Sequence, residues 1–172
     1  MISPTVISAY LSVIEGRTKD RWTWSYVEEK QYWRIKYSGT VPVCEIQAEI
    51  SGPGLCLQSY LGDFRINPSC RAALYLFLLR LNEDLPVVKF GVGHRGRISL
   101  MAEMLATHVD LSALEELLQG VVAVFAQYRR EIELLSGEPA LAGVVTKGLD
   151  VAGDPGVTVT VGLREPASQS TH

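Results

Sequence analysis

The sequence predicts a single α+β domain in which an antiparallel β-sheet, a meander plus a hairpin, packs against three helices. Three observations support this fold class. Hydrophobic residues make up 47% of the 172-residue chain, which is enough for a core without disulfide or metal staples. The spacing of apolar residues changes near Arg21 from a helical period to strict alternation. Short polar turns then join the alternating segments, and short connections require antiparallel neighbours.

The first helix begins after Ser3, a typical N-cap residue, with Pro4 at the first helical position, where a missing N–H costs nothing. Gly16 is the expected C-cap. The apolar residues between them recur at helical spacing: Ile7, Tyr10, Leu11 and Ile14. The helix is therefore amphipathic, and we expect it to lie on the sheet.

Four alternating segments predict the strands of the meander, at about 22–27, 32–37, 42–50 and 54–61. Polar or glycine-containing turns separate them, which is typical of hairpin connections. In the third segment Glu45, Gln47 and Glu49 alternate with apolar residues. This polar row indicates that one face of the sheet is in contact with water.

The second helix, capped by Asn67 or Ser69 and running to about Asn82, is apolar around most of its circumference. One apolar stripe can face the sheet, but such a helix must be buried on more than one side. A second copy of the chain is the predicted cover, so we expect a homodimer. The candidate dimer interface consists of Tyr75, Leu76 and Leu79. The alternative is that the first and third helices enclose the second one.

The hairpin is predicted from a strand at Pro86–Val92 and a second strand at Arg97–Met104, for which a helix is the competing interpretation. Asp110 or Ser112 then caps a long third helix that ends near Leu135. We expect the folded domain to span residues 1–136. Residues 137–172 contain 6 of the 15 glycines and 3 of the 8 prolines and are predicted to form an extension, with a possible strand at 157–161.

Composition argues against several classes of partner. The net charge of −3 provides no basic surface for nucleic acid, and no apolar run reaches the roughly 18 residues of a membrane-spanning helix. The N-terminus lacks the basic segment of a signal peptide. Cys44, Cys56 and Cys70 cannot all pair and do not have the spacing of a zinc site. We therefore expect a cytoplasmic protein with free thiols and no metal.

The segment Gly91–Gly96 matches the GxGxxG pattern of dinucleotide sites. In such a site the glycines open a helix within a parallel βαβ unit, and none is predicted here. A glycine-rich hairpin turn with His94 and Arg95 at its tip explains the same residues, and we expect a positive φ at Gly93 in that turn. No nucleophile–base pair or other catalytic motif is found, so we predict neither catalytic residues nor a cofactor. A small enzyme or nucleotide-binding protein that uses this loop remains the alternative function.

Aromatic residues are concentrated between Trp22 and Tyr37. About half of them are expected to lie in the core of the sheet and stabilise it through cross-strand aromatic pairs. The others would be exposed, where rigid amphipathic rings suit peptide binding. The candidate peptide-binding residues are Trp22, Trp24, Tyr26 and Trp33.

Over residues 5–135 the chain resembles the YbjN family and the related class I (Tir-type) type III secretion chaperones. The resemblance depends on the order and spacing of several segments: Trp24–Tyr37, Tyr60–Gly62, Leu78–Asn82, Phe90, Gly96–Leu100 and Asp110–Leu114. It implies a type III secretion chaperone-like α+β dimer that holds extended segments of other proteins. The family has no catalytic residues to carry over. The resemblance thus favours a non-enzymatic, peptide- or protein-binding module with a chaperone-like or regulatory role.

Overall fold

The computed structural model describes residues 2–19, 21–93 and 96–144. Three helices have the bounds α1 Pro4–Arg17, α2 Arg71–Asp84 and α3 Leu111–Gly137. Six strands have the bounds β1 Trp22–Val27, β2 Tyr32–Tyr37, β3 Cys44–Ser51, β4 Gly54–Tyr60, β5 Lys89–Val92 and β6 Ile98–Leu105. The predicted strand at 157–161 lies outside the described residues, as do His94 and Arg95.

All six strands form one antiparallel sheet in the order β1-β2-β3-β4-β6-β5. The first four strands are the predicted meander. The chain then crosses through α2 and returns as the β5–β6 hairpin, whose second strand pairs with β4, with Leu57 opposite Ala102. The predicted meander and hairpin are therefore confirmed, and β6 is a strand rather than a helix.

The three helices cover one face of the sheet. Trp33 and Ile35 of β2 lie opposite Ala48 and Ile46 of β3, and all four side chains are buried in one core with residues of α1, α2 and α3. The other face is polar and open, because Glu45 and Glu49 are exposed and Gln47 is half-buried. The polar row of β3 thus lies on the face of the sheet that is in contact with water, as predicted.

Helix α1 buries Ile7, Leu11 and Ile14 against the sheet, as its periodicity indicates. The helix does not stop at Gly16. It continues to Arg17, and Thr18 donates its backbone N–H to the carbonyl of Glu15 at 3.2 Å. The C-cap is thus Thr18, a residue with negative φ, and not the predicted Gly16.

The predicted cap Asn67 is the N-cap of a short 3-10 helix, Pro68–Cys70, which directly precedes α2. Its side-chain oxygen accepts hydrogen bonds from the backbone N–H and the hydroxyl of Ser69, at 3.1 and 2.8 Å. Helix α2 itself begins at Arg71 and buries one stripe of side chains, namely Ala73, Leu74, Leu78 and Leu81.

Helix α3 crosses the sheet and ends at Gly137. Asp110 caps it by accepting a hydrogen bond from the N–H of Ala113 at 2.8 Å. Near its other end, the side chain of Arg129 donates to the carbonyl of Leu61 at 2.9 Å, which fixes the helix to the end of β4. Residues 139–144 are helical, and Ala142 is buried in a small cluster with Cys70 and Ala73. No helix of the described residues is long and apolar enough to span a membrane.

Candidate functional site

The two edge strands of the sheet, β1 and β5, differ in whether another chain can reach their backbone. On β5, the side-chain amide of Asn82 closes the edge at Phe90. Its oxygen accepts from the Phe90 N–H at 2.6 Å, and its NH2 donates to the Phe90 carbonyl at 3.0 Å. Lys89 also donates to the carbonyls of Asn82 and Leu85. Helix α2 therefore protects this edge from pairing.

Strand β1 has an outer edge that no other described strand covers. The Arg21 carbonyl accepts from the Ser38 N–H at 2.9 Å, which sets the alternation of the β1–β2 ladder. Along a strand the backbone N–H and carbonyl groups of successive residues point to opposite sides. Every second residue after Arg21 therefore points these groups toward β2. The residues between them, Trp22, Trp24 and Tyr26, point theirs away from the sheet. In the described part of the chain, no residue bonds these outward groups. Another extended chain can therefore pair with β1.

Trp24 and Tyr26 line this open edge on the helix-covered face. Both side chains are half-buried, and the Tyr26 ring lies 5.1 Å from the ring of Trp33. The indole N–H of Trp24 is buried but has no hydrogen-bond partner among the described residues. A buried donor without an acceptor costs about 1–3 kcal/mol. A bound chain could supply an acceptor only after a local rearrangement that exposes this N–H.

Trp22 and Trp33, also predicted to contact a peptide, are core residues. Trp33 is only 1% exposed, and its indole N–H donates to the hydroxyl of Ser8 in α1 at 3.0 Å. Trp22 is 5% exposed and packs on Tyr37 with ring centroids 4.7 Å apart. Alternation places them on the same face as Trp24, but the helices cover Trp33 and most of Trp22. Trp33 therefore cannot contact a partner directly, and Trp22 offers only the small exposed part of its ring, which lines a cleft beside Arg21.

The candidate dimer residues lie on the side of α2 that faces away from the core. Leu76 and Leu79 are 42% and 61% exposed, and Tyr75 is half-buried. Helix α3 packs on α2 elsewhere, and α1 contacts mainly β1 and α3. The interpretation in which α1 and α3 enclose α2 is therefore wrong for Leu76 and Leu79. Dimerisation itself stays a prediction.

The glycine-rich segment forms the β5–β6 turn. The Gly93 N–H donates to the Arg97 carbonyl at 2.7 Å, and the chain continues after Gly96 into β6 rather than into a helix. A dinucleotide site needs a helix N-terminus at this point. The geometry therefore favours the turn. Of the three glycines in this segment, only Gly96 has a positive φ, of 74°, whereas we expected this conformation at Gly93.

Replacing Gly96 by alanine should lower the free energy of unfolding by about 1 kcal/mol or somewhat more, because an L residue is strained at positive φ. A Cβ at Gly93 would have only ordinary contact with the Arg97 carbonyl oxygen at 3.6 Å, so Gly93→Ala is the matched control. Urea denaturation of both variants measures the difference. Equal losses would contradict the assigned turn, and NAD or ATP binding by calorimetry would favour the nucleotide-binding alternative.

Two of the cysteine thiols, those of Cys44 and Cys56, have a raised pKa and therefore a low tendency to ionise. Burial raises the pKa of Cys44 to about 11, although the Ser59 hydroxyl at 3.5 Å opposes the shift. Burial and the nearby carboxylate of Glu103 also raise the pKa of Cys56. Both thiols are therefore weak nucleophiles at neutral pH. Among the described residues, no three metal-ligating side chains come together.

Sequence reasoning missed three features that depend on distant contacts. One is the amide of Asn82, which closes β5 and gave no signal beyond a polar residue near a helix end. Another is an apolar groove of about 420 Å³ between Pro86–Val88 and α3. The third is a cleft beside Arg17, Lys19 and Arg21, whose basic character was visible in the sequence.

No family model and no curated protein matches the chain. The crystal structure of the ExsC–ExsE complex is similar over 80% of this chain and 99% of that one, with 16% identity and a TM-score of 0.52. The heterodimeric ExoU–SpcU complex from the type III secretion system of Pseudomonas aeruginosa matches over 55% and 75%, with 23% identity and a TM-score of 0.43. The likeness to the ExsC–ExsE structure confirms the predicted α+β fold. Membership in the YbjN family is not shown.

Proposed function

We propose that the protein is a non-enzymatic, chaperone-like module that binds an extended segment of another protein along β1. The observation that carries the proposal is the contrast between the two sheet edges. Asn82 closes β5 at Phe90, whereas the outward backbone groups of Trp22, Trp24 and Tyr26 have no partner among the described residues. Main-chain hydrogen bonds to such an edge supply affinity without catalysis.

The side chains at this edge support the same role. A guest strand would cover the half-buried rings of Trp24 and Tyr26, and burial of aromatic surface is a common source of binding energy. The similar ExsC–ExsE structure is a complex between two proteins, which is consistent with a binding role for this fold.

The proposal includes a homodimer formed through α2. Leu76 and Leu79 are exposed on the helix face opposite the core, and Tyr75 lies beside them. A two-fold axis would bring this face against its own copy, so that each helix covers the other. A specific interface usually buries about 800 Å² on each partner.

The proposed location of the protein is the cytoplasm, because its three free thiols are typical of a reducing compartment.

Replacing Trp24 by alanine should weaken binding of an extended peptide at least about fivefold, because it removes aromatic contact area at the centre of the open edge. The test is fluorescence anisotropy with a labelled peptide of alternating threonine and valine. Tyr60→Ala is the matched control, since Tyr60 is 49% exposed on the opposite face of the sheet, far from β1. Trp24→Phe keeps a ring but lacks the indole N–H, so its affinity separates the two contributions.

Equal affinity of the Trp24→Ala and Tyr60→Ala proteins would contradict binding at β1. A second variant tests the backbone directly. Proline at position 24 removes an N–H that points away from the sheet, so it should block strand addition while leaving the β1–β2 ladder in place. Retention of full peptide affinity in Trp24→Pro would exclude strand addition at this edge.

A further inference from the structure

A basic cleft lies at the end of β1 where Trp22 begins the strand. Its volume is about 480 Å³, and it is enclosed by the end of α1, the start of β1 and one side of α3. Arg17, Lys19 and Arg21 are exposed at its rim. The rings of Trp22 and Tyr37, 4.7 Å apart, form an apolar wall. The cleft therefore combines positive charge with an aromatic surface.

Among the described residues, two of the three cations of this cleft have no ion-pair partner. Glu115 reaches one of the three cations, with its carboxylate 3.9 Å from the guanidinium of Arg17. Within the described residues, no carboxylate lies within ion-pair distance of Lys19 or Arg21. The segment Arg17–Arg21 contains three basic residues and one acidic residue, Asp20. An anionic group that entered the cleft would meet a net positive field.

The charges at the two ends of β1 have opposite sign. The hairpin beyond Val27 contains Glu28 and Glu29 with a single cation, Lys30, and all three side chains are exposed. A chain that pairs with β1 would therefore have its two ends in fields of different sign. Complementary charge favours one orientation and one register of such a chain and disfavours others.

We infer that the segment bound at β1 carries acidic side chains, next to an aromatic one, at the end that lies beside Trp22. This inference rests on the proposed function. The carboxylates pair with Lys19 and Arg21, and the aromatic ring packs on the half-buried Tyr37 and on the exposed part of Trp22. Every strand pair in the sheet is antiparallel. A guest that continues this pattern has its carboxyl-terminal end at the cleft, so its acidic residues follow its strand-forming residues.

The test uses three labelled peptides that share the strand sequence Thr-Val-Thr-Val-Thr-Val and end in Glu-Tyr-Glu, Gln-Tyr-Gln or Lys-Tyr-Lys. Fluorescence anisotropy at low salt should show the acidic peptide binding about fivefold more tightly than the glutamine peptide, the gain expected of exposed ion pairs. The lysine peptide should bind most weakly. Added salt should reduce the difference, because these charges are exposed.

Reversing the charge of the cleft should reverse this order. In the double variant Lys19→Glu/Arg21→Glu, the lysine peptide should bind more tightly than the acidic one. The matched control is Arg65→Glu/Arg130→Glu, which makes the same change in net charge at two exposed residues away from the cleft. This control should keep the wild-type order. The neutral variant Lys19→Gln/Arg21→Gln should lose the preference, and it serves if the reversed variant does not fold.

Two results would overturn the inference: equal affinity of wild type for the acidic and glutamine peptides, or a reversed order in the control variant as well. Neither result affects the proposed function as long as the glutamine peptide binds and Trp24→Ala weakens it. Absence of binding for all three peptides would instead remove the proposed function, and the inference with it.

Discussion

The Trp33→Ala variant is expected to lose about 3–5 kcal/mol of its free energy of unfolding, the usual cost of removing a buried tryptophan side chain. Trp33 is 1% exposed at the centre of the β1–β2–β3 region, where it lies opposite Tyr26 and Ala48. The substitution leaves a cavity beneath α1 and removes the donor to the Ser8 hydroxyl. Urea denaturation followed by far-ultraviolet circular dichroism measures the loss.

Two variants serve as controls for this prediction. Trp33→Phe keeps an aromatic ring but cannot donate to Ser8, so its loss should be smaller than that of Trp33→Ala. Trp24→Ala changes a half-buried ring on the neighbouring edge strand and should also be milder. If Trp33→Ala and Trp24→Ala destabilise the protein equally, Trp33 is not the core residue described above.

Replacing Leu79 by glutamate is expected to separate the homodimer. Leu79 is 61% exposed on the outward face of α2, so the monomer can accommodate a carboxylate there without loss of core packing. Burying that carboxylate against a second apolar α2 helix would cost several kcal/mol because it would have no partner. Light scattering at micromolar concentration should give twice 18.9 kDa for wild type and 18.9 kDa for the variant.

Leu105→Glu is the control for the dimer prediction. Leu105 is 52% exposed, close to the exposure of Leu79, but it lies at the end of β6, away from the outward face of α2. This variant should remain a dimer. A wild-type monomer, or a dimer that both substitutions disrupt equally, would contradict an interface centred on Leu76 and Leu79.

The elements defined by short-range patterns could be predicted from the sequence. The bounds 22–27 and 32–37 are those of β1 and β2, because alternation repeats every two residues and the turn between them is short. Asp110 caps α3 as expected, since a cap needs only a side chain and an N–H three residues away. Strand β5 is shorter than predicted. It begins at Lys89, after Pro86 and the two valines that follow it.

The candidate site was only partly predictable, because strand alternation assigns a face but does not determine how much of that face is covered. Trp22, Trp24 and Trp33 all point toward the helices. The helices bury Trp22 and Trp33 and leave Trp24 half-exposed at the edge. The same limit explains the glycine loop, where the pattern located the turn but not which glycine has positive φ.

By itself the sequence determined the element types, the antiparallel meander and hairpin, the polar open face, and a second helix with more apolar surface than one sheet can cover. Only the tertiary structure decided that β6 pairs with β4, that Asn82 closes the β5 edge at Phe90, and that no described residue pairs with the outer edge of β1. It also brought Gln119 of α3 to the cleft beside Arg17 and Arg21. Periodicity and capping depend on residues a few positions apart, whereas edges and clefts form from segments far apart in the chain.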